Sequence, residues 1–322
     1  MGNITRMHAL IEQILILNPN QKIHILTSGV GLDYYRTNDF KNVSSQNSLN
    51  IENKSVYGSL AFFFLNLVKF LKLIYKNYKI QKKLIQENKF DVVFFDSDYG
   101  FILHRILNRN FKIIAINNSY EIVNYRLSFF QRLKHNLAYS FLFEKLDLLI
   151  HSVFTDSVIC PSLQQKNGLH VKKSLCSNIY LTPPLVRKQI TAERRRPDHQ
   201  HTLLMTTGSA IQNPLSDSIP NSKLTILGCR NLNFKNFDIF INADVVVCNA
   251  GQSTLAEILY TNKSAFCCPI PNHYEQFVNF DIVSKYGVKH YLEFSNSSPD
   301  NLETFFSFEE FQKSVKILFE RL

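Results

Sequence analysis

Several things are missing from this sequence, and each absence excludes something. Residues 59–89, rich in both apolar side chains and lysine, contain no uncharged run approaching the roughly 20 residues that a bilayer-spanning helix needs. The six cysteines (Cys160, Cys176, Cys229, Cys248, Cys267 and Cys268) show no paired metal-ligand spacing. Most of them sit in apolar, strand-like runs such as VVVCNA and AFCCPI, which predicts buried free thiols in a reducing compartment. The first residues lack a basic stretch followed by an apolar core, so a cytosolic address is expected. No aromatic-basic module for nucleic acid stands out, and none is expected as a partner.

What is present is a soluble globular composition. At 322 residues, 45% hydrophobic and 19% charged, the chain is long enough for about two domains. An excess of 36 Lys+Arg over 26 Asp+Glu leaves a net charge of +10, which suits an acidic ligand, an anionic membrane or a nucleic acid. Lys69, Lys72, Lys76, Lys79 and Lys83 recur at alternating spacings of three and four, forming one basic stripe along a predicted helix. That helix either lies on an anionic membrane surface or packs with a solvated lysine face.

The first half alternates strand-like and helical runs. KIHILTS (22–28), FDVVFFDSD (90–98), FKIIAINNS (111–119) and SVICP (157–161) read as strands, with helical segments between them. Such alternation predicts a Rossmann-like α/β domain with a parallel sheet covered on both faces. A polar stretch without periodicity, TAERRRPDHQHT, follows and reads as a linker. The second half repeats the scheme, with strands in TLLMTTGS, KLTILG, ADVVVCNAG and KSAFCCPIP. The expected organisation is residues 1–185, a linker at 186–200 and residues 201–322, with a C-terminal helix (FEEFQKSVKILFERL) crossing back toward the first domain. The default ligand site is the cleft at the carboxyl ends of the strands.

One stretch carries most of the chemistry: NAGQSTLAEILYTNKSAFCCPIPNHYEQFVN, residues 249–279. Gly251, Gln252, Ser253 and Thr254 lie between an apolar strand and a helix, where amides and hydroxyls at a positive helix end form an anion cradle. Thr254 and Glu257 have capping-box spacing, which is an alternative that requires no ligand. A strand, a Pro-containing loop and then Glu275, Gln276 and Asn279 follow.

In this order the residues resemble the nucleotide-sugar signature of GT-B glycosyltransferases, most of all the family 28 type of UDP-N-acetylglucosamine transferases. The resemblance implies two Rossmann-like domains facing across a cleft and an inverting transfer from a nucleotide sugar, a UDP-hexose or UDP-N-acetylhexosamine, to a lipid-linked or envelope glycan. It implies that Gly251 to Thr254 hold the diphosphate, Glu257 the ribose diol, and Glu275 with Gln276 the sugar hydroxyls, while Asn279 supports its helix. Gly208 and Ser209, in TTGSA, match the glycine turn that approaches the diphosphate, and LTPPLVR matches the segment closing the acceptor domain. No cofactor is implied, because the UDP-sugar is a co-substrate. The C-terminal half has no Asp-x-Asp, so no metal is required; the DSD at 96–98 lies in the other half.

Two departures from the family pattern stand out. Members begin with an apolar strand before a Gly-x-Gly-His-x-x-Arg loop, and MGNITR matches only the end of that pattern, through Gly2, Asn3 and Arg6. A central first strand is therefore expected to be missing, as from a late start or a truncated copy. Asn3 stands where histidine often serves as general base, and an amide cannot take that proton at neutral pH. Asp96 and Asp98 are the nearest replacements, with strand-end capping as their alternative role. His8 is expected at the surface, and His104, His151 and His273 are expected to be structural. A nucleotide-sugar 2-epimerase and a catalytically silent nucleotide-sugar-binding subunit are the competing functions.

Overall fold

The computed structural model describes residues 2–47, 60–107, 110–125, 127–128, 137–164, 168–188, 190, 202–205, 224–227, 237–243, 245–290 and 308–321. The N-terminal half contains α1 (Gly2–Leu17), β1 (Ile25–Thr27), α2 (Val30–Thr37), β2 (Val43–Ser45), α3 (Leu60–Asn88), β3 (Val92–Asp96), α4 (Gly100–Leu107), β4 (Lys112–Ile116), α5 (Ser119–Asn124), α6 (Ala138–Phe154), β5 (Ser157–Pro161), β6 (His170–Lys173) and β7 (Asn178–Thr182). The C-terminal half contains β8 (Thr202–Met205), β9 (Leu224–Leu227), α7 (Phe237–Asn242), β10 (Val245–Cys248), α8 (Gln252–Thr261), β11 (Ser264–Cys267), α9 (Tyr274–Ser284), β12 (Lys289–His290) and α10 (Phe308–Arg321).

Two five-stranded sheets form, ordered β3-β4-β5-β7-β6 and β12-β11-β10-β8-β9. Every pairing in them is parallel except that of β6 with β7. Central strands are apolar along their length because helices cover both faces: all five residues of β5 are buried, as are the last four of β4. This is the α/β architecture of two separate parallel-rich sheets, the GT-B fold.

The alternation in the sequence locates β1, β3, β4, β5, β8, β9, β10 and β11. It does not reveal α2, β2, β6, β7 or the short α5. β7 in particular hides in a run ending LTPP, where prolines signal a loop but here follow the strand directly.

β1 and β2 pair with each other as a separate two-stranded parallel ribbon. Contact with the β3 side is made by side chains: Gln46 Nε2 donates to Asp98 Oδ2 at 2.8 Å, and the His24 ring meets Phe90 edge-on at 6.2 Å. Gly2 and Asn3 lie in the first turn of α1. α1 buries an apolar face: Ala9 and Leu10 pack with Ile114, Ile116 and Ile159, while Ile11 packs with Ile25, Tyr34 and Tyr35.

His8 is not a surface residue. It is buried beneath α2, within hydrogen-bonding distance of Tyr34 Oη (2.7 Å), because α1 is covered on two sides. α10 does cross back, and Phe311, Val315 and Leu318 are fully buried against Leu10, Ile116, Tyr180 and Leu185. A second core is continuous between the halves, joining Ile122, Leu163, Val186 and Ile190 to Val246, Leu255, Tyr274 and Ile282. Val186 and Ile190, at the start of the expected linker, therefore belong to a core. Residues 191–200 lie outside the described residues.

Candidate active site

The carboxyl ends of β3, β4 and β5 face the N-termini of α8 and α9, and Arg6 on α1 ties the two sides together. Its Nη2 and Nε lie 2.6 and 3.0 Å from Asp96 Oδ1 and Oδ2, a two-point clasp, while Nη1 donates to Gln252 Oε1 at 3.1 Å. Gln252 in turn donates from Nε2 to the Pro161 carbonyl at 2.6 Å. The side chain expected at the diphosphate thus bridges the halves. Burial works against the Arg6 charge, but the adjacent Asp96 carboxylate outweighs it and raises the guanidinium pKa.

Asn3 donates to Ser97 Oγ at 2.7 Å and accepts from Arg6 Nη2 at 3.3 Å. Asp98 accepts from Gln46 and Gln81 on Oδ2 and from the Gly100 amide on Oδ1 (2.7 Å), which caps α4. A Cβ on Gly100 would lie 2.2 Å from Gln81 Oε1, so a side chain there would displace the Gln81 amide from Asp98. Both aspartates are heavily engaged by partners that fix this floor.

On the donor-like side, Gly251 is the N-cap of α8 and no side chain caps the helix, so the Thr254–Glu257 capping box does not form. Ser253 and Thr254 lie half-buried in the first turn, and among the described residues a Cβ placed on Gly251 would meet nothing within 4 Å. This glycine stands at the positive end of a ten-residue helix.

Glu257 is buried and its Oε1 receives both Nη2 and Nε of Arg187, at 2.8 and 2.9 Å. Gln276 braces the Pro-containing loop by accepting the Ile270 amide at 3.0 Å, and Asn279, fully buried, donates to the Ala250 carbonyl at 3.1 Å. Glu275 is half-buried in the first turn of α9. Gly208 and Ser209 lie outside the described residues.

A third wall was not anticipated from the sequence. Asn118 reaches across from the end of β4 to donate to Glu275 Oε1 at 3.0 Å. Its neighbour Ser119 places Oγ 2.9 Å from Glu144 Oε2 and 2.8 Å from Asp147 Oδ2. Burial pushes Asp147 up, but the hydrogen bond and charge of His151, with hydrogen bonds from Tyr99 and Asn117, overcome it and hold the carboxyl at about 2. Glu144 goes the other way: burial, then the charges of Glu275 and Asp147, raise it to about 8.

The signal for this wall was present in FLFEKLDLLIH. There Glu144, Asp147 and His151 recur at helical spacing on one face, while Leu142, Leu146 and Leu149 face outward, 59%, 43% and 47% exposed, and Leu148 packs against the first sheet.

Comparison with known proteins bears on this arrangement. The family model described as glycosyl transferase family 1 matches residues 1–308. No curated protein sequence matches the chain. Among solved structures, the chain is similar to the glycosyltransferase of kitacinnamycin, with 14% identity and a TM-score of 0.52 over 99% of this chain and 88% of the other. It is similar to UGT89C1 of Arabidopsis thaliana, with 11% identity and a TM-score of 0.52 over 97% of this chain and 85% of the other. SsfS6, a glycosyltransferase of Streptomyces sp. SF2575 complexed with thymidine diphosphate, gives 13% identity and a TM-score of 0.50 over 100% and 96%.

Proposed function

This chain belongs to glycosyl transferase family 1, and we propose that it transfers a sugar with inversion from a nucleotide sugar, a UDP-hexose or UDP-N-acetylhexosamine, to a lipid-linked or envelope glycan. The observation that carries this reading is the pairing of two helix N-termini at one cleft, α8 behind Gly251, Ser253 and Thr254, and α9 behind Glu275 and Gln276. Amides and hydroxyls at α8 bind the diphosphate and stabilise it as it leaves. Glu275 and Gln276 hold sugar hydroxyls. In this reading residues 201–322 bind the donor and residues 1–185 the acceptor.

Glu257, held by Arg187, contributes to the ribose site through its remaining oxygen. Asn3, Asp96 and Asp98 shape the acceptor side through the Arg6 clasp. No metal or cofactor is invoked. A solved relative carries thymidine diphosphate, so the base of the nucleotide is part of the test. Calorimetry with UDP and TDP on the wild-type protein, Thr254→Ala and Glu257→Ala decides it: a loss of about tenfold in affinity in Thr254→Ala is expected from one hydrogen bond to a charged phosphate. Equal affinity in all three proteins refutes the assigned pocket.

The acceptor is reached at the inner face of the membrane. Lys69, Lys72, Lys76, Lys79 and Lys83 are all exposed on α3, beside exposed Val68, Leu71 and Tyr75. With the outward leucines of α6 they give the N-terminal half an apolar and basic surface suited to anionic lipid. Among the described residues no helix is long and apolar enough to cross a membrane.

A further inference from the structure

We propose that Glu144 is the general base that takes the proton from the acceptor hydroxyl, an assignment that rests on the transferase reading above. Asn3 cannot do this, and Asp96 and Asp98 are engaged by Arg6 and by the cap of α4. Glu144 differs from both aspartates. Ser119 is its one hydrogen-bond partner among the described residues, at Oε2, and Oε1 accepts nothing there. The residue stands on the acceptor-side wall beside Glu275, which Asn118, next to Ser119 in the chain, holds from the same strand end.

The geometry also fixes a proton. The Ser119 hydroxyl has a single hydrogen and two carboxylate neighbours, at 2.8 and 2.9 Å. With Asp147 ionised and accepting it, the contact to Glu144 is satisfied when Glu144 itself carries a proton and donates to Ser119 Oγ. This is a carboxyl that gains and loses a proton near neutrality, as an acid-base group must.

The groups facing it are Asp147 on α6, Glu275 from α9 and Ser119 from α5; His151, Tyr99 and Asn117 hold Asp147, and His273 lies beside Glu275. Arg6 acts one step away, through Glu275. In the step, ionised Glu144 accepts the acceptor O–H proton while that oxygen bonds to the anomeric carbon. The bond from that carbon to the diphosphate breaks, its electron pair leaves with the nucleoside diphosphate, and Glu144 later releases the proton to water.

The test follows nucleotide release from UDP-N-acetylglucosamine, UDP-glucose and TDP-glucose with water as acceptor, in wild type, Glu144→Asp and Glu144→Gln. The wild-type rate should rise with pH to a plateau above about pH 8, and Glu144→Gln should be slower by about 100-fold with no such limb. Azide needs no proton removed, so sodium azide should restore nucleotide release in Glu144→Gln, whose UDP affinity should stay close to wild type and whose melting temperature should not fall below it. Hydrolysis in Glu144→Gln within about threefold of wild type overturns the assignment. So does failure of azide to rescue a variant that still binds UDP, which marks Glu144 as a positioning residue. Absence of UDP and TDP binding in the wild-type protein instead brings down the donor reading, and this assignment with it.

Discussion

Arg187 and Glu257, 70 residues apart and one from each half, form a buried ion pair in which two guanidinium nitrogens converge on a single carboxylate oxygen. The segment LTPPLVR thereby fastens the end of the N-terminal half to the helix that carries the donor-like loop. Removing one member leaves a buried charge without a partner. Arg187→Ala should cost about 3–5 kcal/mol by denaturant unfolding, and Arg187→Met/Glu257→Gln should recover much of that loss. A single variant as stable as wild type would show that water replaces the pair.

The Arg6 clasp makes a sharper chemical prediction. A lysine ammonium is a point charge and cannot hold both Asp96 oxygens and Gln252 with fixed geometry. Arg6→Lys should therefore retain the charge yet weaken UDP binding by about threefold to tenfold, through a loosened Gln252 at the start of α8. Calorimetry reads this directly, and unchanged affinity would separate the clasp from the donor loop.

Stability should fall on both sides of an optimum, for two different reasons. Glu144 is raised from 4.5 to about 8, so its contribution is whole below pH 4.5 and is lost as pH rises through about 8. His104, buried among Tyr78, Phe95 and Phe111, is lowered by burial from 6.5 to about 4, so its contribution is whole above pH 6.5 and is lost as pH falls through about 4. Glu144→Gln should melt about 2–4 °C above wild type at pH 8 and not at pH 4. His104→Phe should flatten the acid limb alone. Scanning calorimetry across this range checks both signs.

Membrane association should depend on charge and on apolar contact separately. Sedimentation with vesicles should require anionic lipid, weaken with salt, and fall when Lys69, Lys72, Lys76, Lys79 and Lys83 become glutamine. Leu142→Ser/Leu146→Ser/Leu149→Ser should weaken it at every salt concentration, because that term is not screened. Binding indifferent to both sets of changes would point to a soluble acceptor.

The sequence by itself determined the layer architecture, because a parallel strand buried on both faces must be apolar along its length, as IIAI and SVICP are. The turn before α8 is legible there as well, since a glycine-hydroxyl turn between strand and helix is a local pattern with a local cause. The sequence also located Asn279 as a brace and α10 as an element returning to the first sheet. Tertiary structure decided what those local patterns touch. Glu257 is as close in sequence to a cap as it is to a ligand, and only the approach of Arg187 from 70 residues away settles that its carboxylate faces the other half. His8 reads as surface until α2 is folded over it. The acid-base character of Glu144 is in no stretch of the chain, because a carboxyl acquires a pKa near 8 through burial and the charges of Glu275 and Asp147, and Glu275 is brought there by the packing of α9 against α5 and α6.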